Sequence, residues 1–525
     1  MSYVIDYFDD TPPIFTTLDK HGEQKTISIN ELSLIKTPII TYDFWIIIDY
    51  FRANDLDLPP NIVDVVTAKR LLTGKPKSCF NDSKPWEYWE QIRSYLDTEI
   101  YENLKLISFH KTERPSTDEI QSLLNEMNIS LSELWNDLHS DLEIKNEIKR
   151  FFEIEIPVYN IMLNTQKDGI KVDEEKLDEH LATSNKIYYK AKKNIEIKYS
   201  INIEDKNIIS QFISVKNAYR SNINKPDLNI HNYREFIKIN SNHDEISNNF
   251  NNYHRYKLER SILSKITPLD SKVYPVFDIC GTITGRILSI DPLLQNLKKT
   301  HRDIIIPDDN KRLIYMDYSQ FEPGIMASLA NDEYFIEKYN NNDIYTELSE
   351  LIFNTQNERK TAKIIFLSYS YGMSWNNIKK LIYTLNSDIN NNENFDIKKI
   401  YNFLSVFETW KEKAYKTLLE ENRVGTILGN YRYRESSNDL SNREKRFSVS
   451  QLVQGTASLI LKNVIIEIHE RLPNVQISLP MHDALLMQID IDTHHSVDNE
   501  LEEIFKKNFK EICPQITPQV TTDVF

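Results

Sequence analysis

The chain has 525 residues, enough for about two to four structural units with sizeable cores and too many for a small binding module. Its net charge of −15 argues mildly against a protein that coats nucleic acid over its whole surface, although an acidic whole can carry a local basic groove. Three widely spaced cysteines, Cys79, Cys280 and Cys513, exclude a disulfide framework or a metal-ligand motif and fit a reducing, cytoplasmic setting; no apolar run approaches the ~18 residues of a membrane span, and the acidic start MSYVIDYFDD is unlike a presequence.

Residues 1 to about 150 mix short apolar runs (3–5, 39–40, 45–48) with helical stretches such as 86–106, and read as a separate α/β unit. Near Pro157 the pattern changes to IPVYNIMLNTQKDGIKVD, which predicts a helix closed by Gly169 and a short extended piece, so a boundary is expected there. From Glu174 to about Lys265 the chain reads as mostly helical, with Lys186, Lys190, Lys192, Lys193 and Lys198 interleaved with Tyr188, Tyr189 and Tyr199. Such a helix suits a phosphate backbone, while its composition alone favours a solvated face. Asn-rich tracts at 240–254, 340–343 and 386–394 read as loops or insertions, and no internal repeat is visible. The turn-rich segment 273–299 carries Arg286, Gln295 and Asn296 around Pro292. Arginine and amide side chains can read minor-groove acceptors shared by all base pairs; an ordinary surface loop is the plain alternative.

In KRLIYMDYSQFEPGIMASLA (311–330), the apolar run 313–316 predicts a buried strand with Asp317 at its tip, and Pro323 suits the first turn of a following helix. An acid so placed can hold a metal ion over phosphate, but a solvated strand-end Asp is commoner, so a second acid must decide. In RKTAKIIFLSYSYG (359–372), Arg359, Lys363, Leu367 and Tyr371 recur every fourth residue and form one row on a helix, two cations able to grip a triphosphate and an aromatic able to stack. A helix with a basic outer end and an apolar inner end would look the same. Residues 443–462 read as a long helix bearing Arg446 and Gln454 two turns apart. They lead into NVQISLPMHDALLMQID (474–490), a hairpin with His482 and the second acid, Asp483, at its tip.

Asp317-Tyr318-Ser319-Gln320-Phe321-Glu322, Arg359-x3-Lys363-x7-Tyr371-Gly372 and His482-Asp483, in that order, closely resemble the three polymerase motifs of family A DNA polymerases. Thr284-Gly285-Arg286, Pro292 with Gln295-Asn296, Asp343-Ile344-Tyr345-Thr346 and Gln454-Gly455-Thr456-Ala457 extend the resemblance over roughly 155–490. It implies a mixed α/β (α+β) right-hand fold, with a thumb at about 178–265, fingers at about 325–430 and a palm from the remainder of 151–525. Asp317 and Asp483, with the Tyr318 carbonyl, would bind two Mg²⁺ ions; Arg359 and Lys363 would bind the incoming dNTP, Lys363 also as proton donor; Gln320, Leu367 and Tyr371 would line its site; and Glu322 would close off space for a ribose 2′ hydroxyl. Arg286, Gln295, Asn296, Arg446, Gln454 and His482 would contact primer-template DNA. Leu367, Gly324, Ser450 and Ala484 depart from the usual Phe or Tyr, Arg, Asn and Glu, which predicts altered nucleotide handling.

The first 150 residues more faintly resemble the RNase H-like 3′-5′ exonuclease domain of that family, with Asp6, Asp43 and Asp97 as metal-binding acids and Asp64 at a structural position. Phe8 stands where a Glu is expected and Arg93 where a Tyr is, so a proofreading-deficient remnant is expected. The absence of a preceding 5′-nuclease region suggests a compact, phage-like enzyme, monomeric, working in a bacterial or phage-infected cytoplasm with unidentified accessory proteins and no membrane. The alternatives are a single-subunit RNA polymerase, against which Glu322 and the 284–296 segment speak, and an inactive primer-template scaffold, against which Asp317, Lys363 and Asp483 speak.

Overall fold

In a computed structural model of the chain, the described residues are all except 5–12, 75–87, 109–115, 206, 208–236, 238–240, 242–244, 379–380, 382–396, 436–437, 494–495 and 524. The chain opens with an antiparallel sheet of β1 (Ser2–Val4), β2 (Ile14–Leu18) and β3 (Gln24–Ile27) in that order, followed by a parallel pair, β4 (Ile39–Thr41) and β5 (Ile62–Asp64). Asp64 ends β5 and caps helix α1 (Val65–Thr73), its Oδ2 accepting from the Thr67 N–H at 2.7 Å. The stretch 86–106, expected as one helix, contains two, Tyr88–Ile92 and Thr98–Ser108. The break is local: Asp97 Oδ1 accepts from the Glu99 N–H at 2.8 Å and starts the second helix afresh. Helix α2 (Thr117–Ile144) begins at a Ser116/Glu119 capping box and packs on β2, and α3 (Ile156–Asp168) ends where expected, at Gly169 with φ +71°.

The chain divides into two compact units: Met1–Asp168, Val276–Leu288 and Asn310–Val524 form the first, and Gly169–Pro275, Ser289–Asp309 and Phe525 the second. The second unit is built on α4 (Glu174–Lys193) and α5 (Glu245–Leu263), which close over Tyr188, Ile195, Phe250 and Tyr253. Much of the Asn-rich tract 240–254, expected as a loop, is therefore helical, because Ile246, Phe250 and Tyr253 recur at helical spacing and are buried. On α4, Lys186, Lys190 and Lys193 are exposed while Tyr188 is buried. Tract 386–394 lies outside the described residues.

The first unit centres on a four-stranded antiparallel sheet. Strand β6 (Lys311–Ser319) leads into α6 (Phe321–Ala330), then α7 (Ile344–Phe353) and α8 (Arg359–Ser370). After the hairpin β7 (Arg423–Thr426) and β8 (Gly429–Tyr433) comes α9 (Asn442–Arg471), then β9 (Gln476–Pro480), β10 (Ala484–Asp490), α10 (Ser496–Ile512) and β11 (Gln519–Asp523). The sheet order is β9-β10-β6-β11, so β6 is covered on both edges. Helix α9 passes the length and composition test for a membrane span, but 72% of its apolar window is buried in the protein, the mark of a core helix. It runs nine residues past the expected end at 462, and Lys462 itself is buried.

Candidate active site

The position of Asp317 follows from what anchors β6 beneath it. Tyr318 is buried, its ring stacked on Phe321 at 4.3 Å and its hydroxyl donating to the Phe505 carbonyl at 2.6 Å. With side chains alternating along a strand, Asp317 occupies the opposite face. It pairs across the ladder with Ala484, and the Tyr318 N–H donates to the Asp483 carbonyl at 3.2 Å. The tight turn of the β9–β10 hairpin, in which the Met481 N–H donates to the Ala484 carbonyl at 2.8 Å, leaves His482 exposed and holds Asp483 beside the end of β6. The two acids are thus brought side by side, Asp317 on β6 and Asp483 in the turn that leads into β10.

Burial pushes the Asp483 pKa up, and Arg286 pulls it down; Glu322 adds to the rise, while His482 and Lys363 oppose it. Oxygen-only donors on a strand and the neighbouring turn fit a hard divalent cation. Among the described residues no group of three or more His, Cys, Asp or Glu side chains is placed to hold a metal, so a cation here would rely on the two carboxylates, the backbone and substrate phosphates, as Mg²⁺ commonly does.

Glu322, in the first turn of α6, is the hub beside these acids. It accepts from Arg286 Nη2 at 2.5 Å and from the Tyr371 hydroxyl, whose pKa is driven up by burial and by the carboxylate. Arg286 Nε is buried and makes no hydrogen bond. A side-chain hydrogen bond with Gln454 works against the rise in the Tyr371 pKa, and Arg446 packs against Gly372, where an added Cβ would lie 2.5 Å from Arg446 Cγ and φ is +91°. The end of α8 is thereby seated on α9.

At the other end of α8, Arg359 and Lys363 are exposed. Arg359 is held in a bidentate pair with Asp343 (Nη2–Oδ2 2.6 Å, Nε–Oδ1 3.1 Å), and both cations lie over the Tyr345 ring, at 5.4 and 5.6 Å. Burial works to raise the Asp343 pKa, but the Arg359 and Thr346 hydrogen bonds hold it below its usual value. Sequence reasoning noted Asp343 and Tyr345 only as part of a motif; the signal for their role was the exposed cationic pair, which needs a counterpart. Leu367 is half-buried, and Phe366, one step earlier, stacks on Phe335 at 5.9 Å.

Other expected site residues have different surroundings. Gln320 adopts a left-handed conformation (φ 53°), and its Oε1 accepts from the Ile344 N–H at 2.7 Å, tying the β6–α6 turn to α7. Gln295 and Asn296 belong to the second unit; Gln295 is buried with Oε1 accepting from the Ser289 N–H at 3.1 Å, and Asn296 is exposed. Gly324 has no room for a side chain, since a Cβ would lie 2.8 Å from Tyr339 Cζ and 3.0 Å from Phe509 Cζ. Ala484 is 1% exposed opposite Asp317, so a carboxylate there would be a buried third charge. In the N-terminal region Asp6 and Phe8 lie outside the described residues; Asp43 sits in a left-handed conformation (φ 42°), Asp97 is an exposed helix start, and Arg93 lies over the Tyr101 ring at 5.8 Å.

The profile of DNA polymerase family A matches residues 170–523. The chain is 24% identical to DNA polymerase I of Helicobacter pylori over 441 residues, 79% of this chain and 48% of that protein. It is likewise 24% identical to DNA polymerase I of Caldicellulosiruptor bescii over 518 residues, 92% of this chain and 56% of that protein. It thus spans about half the length of these relatives. Among solved structures, the POL domain of Pol1 from M. smegmatis, in complex with DNA primer-template and dNTP, shares the fold, with a TM-score of 0.73 at 17% identity over 96% of this chain and 90% of that one.

Proposed function

The chain belongs to DNA polymerase family A, and from that premise we propose that it adds deoxynucleotides to the 3′ end of a primer on a template strand, by phosphoryl transfer in replication or repair. What supports this reading above all is the ladder register that sets Asp317 opposite Ala484 and beside Asp483, with Lys363 close enough to act on Asp483 electrostatically. Asp317 and Asp483, with the Tyr318 carbonyl, would hold two Mg²⁺ ions, whose chemistry is to favour the ionised primer hydroxyl and offset charge on the triphosphate. Arg359 and Lys363 would bind the triphosphate, and Lys363 Nζ would give a proton to the departing pyrophosphate. Tyr371, fixed by Glu322, would bound the nucleotide site, and Glu322 would exclude a 2′ hydroxyl. Arg286, Arg446, Gln454, His482 and Asn296 would contact the duplex.

The partners in this reading are primer-template DNA and dNTPs, with the chain acting as a monomer in the cytoplasm. Residues 178–265 would serve as thumb and 325–430 as fingers, and 1–150 as an exonuclease-like domain with weak or no proofreading. Primer extension with dNTPs and then NTPs tests the reading; preference for NTPs would make it an RNA polymerase. Asp317→Ala and Asp483→Ala should each abolish extension while leaving primer-template binding largely in place. A 3′-mismatched labelled primer incubated with Mg²⁺ and no dNTPs should stay intact, and its degradation would restore proofreading to the N-terminal region.

A further inference from the structure

Behind the site lies a buried charge cluster that none of these roles uses. Glu155 is 0% exposed and accepts from Arg150 Nε at 2.7 Å and from Lys462 Nζ at 2.5 Å. Arg150 precedes and Glu155 ends the π-helical turn Phe151–Glu155, whose wider winding brings residues five apart to one side, and Lys462 comes from within α9. Burying three such charges is expensive, and a well-packed apolar trio is commonly as stable, so the cluster is poorly explained by stability alone.

Its surroundings point to the turn that carries Arg286. The Cys280 thiol lies 3.5 Å from Glu155 Oε2. Arg150 Nη1 donates to Thr426 Oγ1 at 3.3 Å, and Arg150 Nη2 lies beside Gly285, where an added Cβ would be 3.5 Å away. One helical turn before Lys462 on α9, Ser458 Oγ donates to the Gly285 carbonyl at 2.6 Å. At the start of the turn, Arg70 pairs with Asp278. Residues 278–285 are thus gripped from the inside by α1, the 150–155 turn and α9, while the next residue, Arg286, reaches Glu322 on the other side.

We propose that Arg150, Glu155 and Lys462 are positioning residues that fix the 278–286 turn and so set where the Arg286 guanidinium sits relative to Glu322 and the primer terminus. The inference rests on the polymerase reading, because it assigns a catalytic consequence to the placement of Arg286. Misplacing a contact group by about 1 Å can cost as much as 100-fold in rate.

The test is a double-mutant cycle. The apolar triple variant Arg150→Met, Glu155→Leu, Lys462→Met should melt close to the wild type yet lose about 10- to 100-fold in primer-extension kcat/KM. In an Arg286→Ala background the same triple change should cost almost nothing more, because a group that acts only through Arg286 has nothing left to place. Ser458→Ala, which keeps the charge cluster and removes only the bond to Gly285, should lose about 2- to 10-fold with the same dependence on Arg286 and covers the case in which the triple variant does not fold. Wild-type extension by a folded triple variant or by Ser458→Ala, or losses that simply add to that of Arg286→Ala, would overturn the inference while leaving the polymerase reading intact. A wild-type chain that extends no primer would overturn both.

Discussion

Glu322→Gln is the substitution that most directly probes the hub beside the acids. The side chains of Glu322 and Arg286 are only 13% and 19% exposed, so their hydrogen bond is poorly screened. Glutamine keeps the shape but has one carbonyl oxygen, which must face Arg286, since Arg286 cannot accept; its amide nitrogen then faces Tyr371, whose hydroxyl must turn from donor to acceptor. The Arg286 bond loses its anionic acceptor and keeps only the guanidinium charge, and the Tyr371 bond becomes neutral, a loss of about 1–1.5 kcal/mol each and about 2–3 kcal/mol together. Expressed fully in the transition state, that is about a 30- to 150-fold fall in kcat/KM for single-nucleotide primer extension. Tyr371→Phe should cost about 1.5–3 kcal/mol in the wild type but only about 0.5–1.5 kcal/mol in the Glu322→Gln background. Ribonucleotide exclusion should survive Glu322→Gln, which conserves volume, and fail in Glu322→Ala. Wild-type efficiency in Glu322→Gln, or an equal cost of Tyr371→Phe in both backgrounds, would refute the coupling.

Gly324→Ala should lower the melting temperature, because overpacking against Tyr339 and Phe509 costs about 1–3 kcal/mol, more than the ~1 kcal/mol gained in helix propensity; a raised melting temperature would show that the rings give way. Burial lifts the pKa of Glu147 from 4.5 to about 7 against the pull of the Tyr431 and Asn430 N–H groups. A raised folded-state pKa means the native state holds its proton more tightly, so this group's contribution is greatest below pH 4.5 and falls by about 3 kcal/mol as pH rises to about 7. Thermal melting across that window should slope downwards in the wild type and less steeply in Glu147→Gln; equal slopes would rule the group out. Asp343→Asn loosens a pair that is 47% and 29% exposed, so stability should change by less than about 1 kcal/mol while KM for dNTP rises by up to about 5-fold. An unchanged KM would mean that Arg359 needs no such support.

Legibility in the sequence tracked how local each signal was. The strand through Asp317, the glycine at 169, the helix bearing Arg359, Lys363 and Leu367 and the hairpin turn at Asp483 are each set by neighbours within a few residues and stand close to where the sequence implied, although β6 runs on to Ser319 and α8 ends one residue before Tyr371. The Asn-rich tract was misread because composition outweighed the Ile246, Phe250, Tyr253 spacing that makes it a helix. Arg150, Glu155 and Lys462 were missed for a different reason: in a sequence, a charge buried against distant partners looks the same as a solvated one. Arg150 fell at the expected domain boundary and Lys462 at the expected helix end, so the reading stopped at two of the residues that grip the turn before Arg286. Asp343 shows the milder case, a cap whose second duty towards Arg359 depends on a helix that starts sixteen residues later.

The first 168 residues share a compact unit with the paired acids, and two of the three charges in the buried cluster come from them. Removing the chain up to Glu155 would take away the carboxylate that Lys462 pairs with, so this region is tied to α9 by charge as well as by packing.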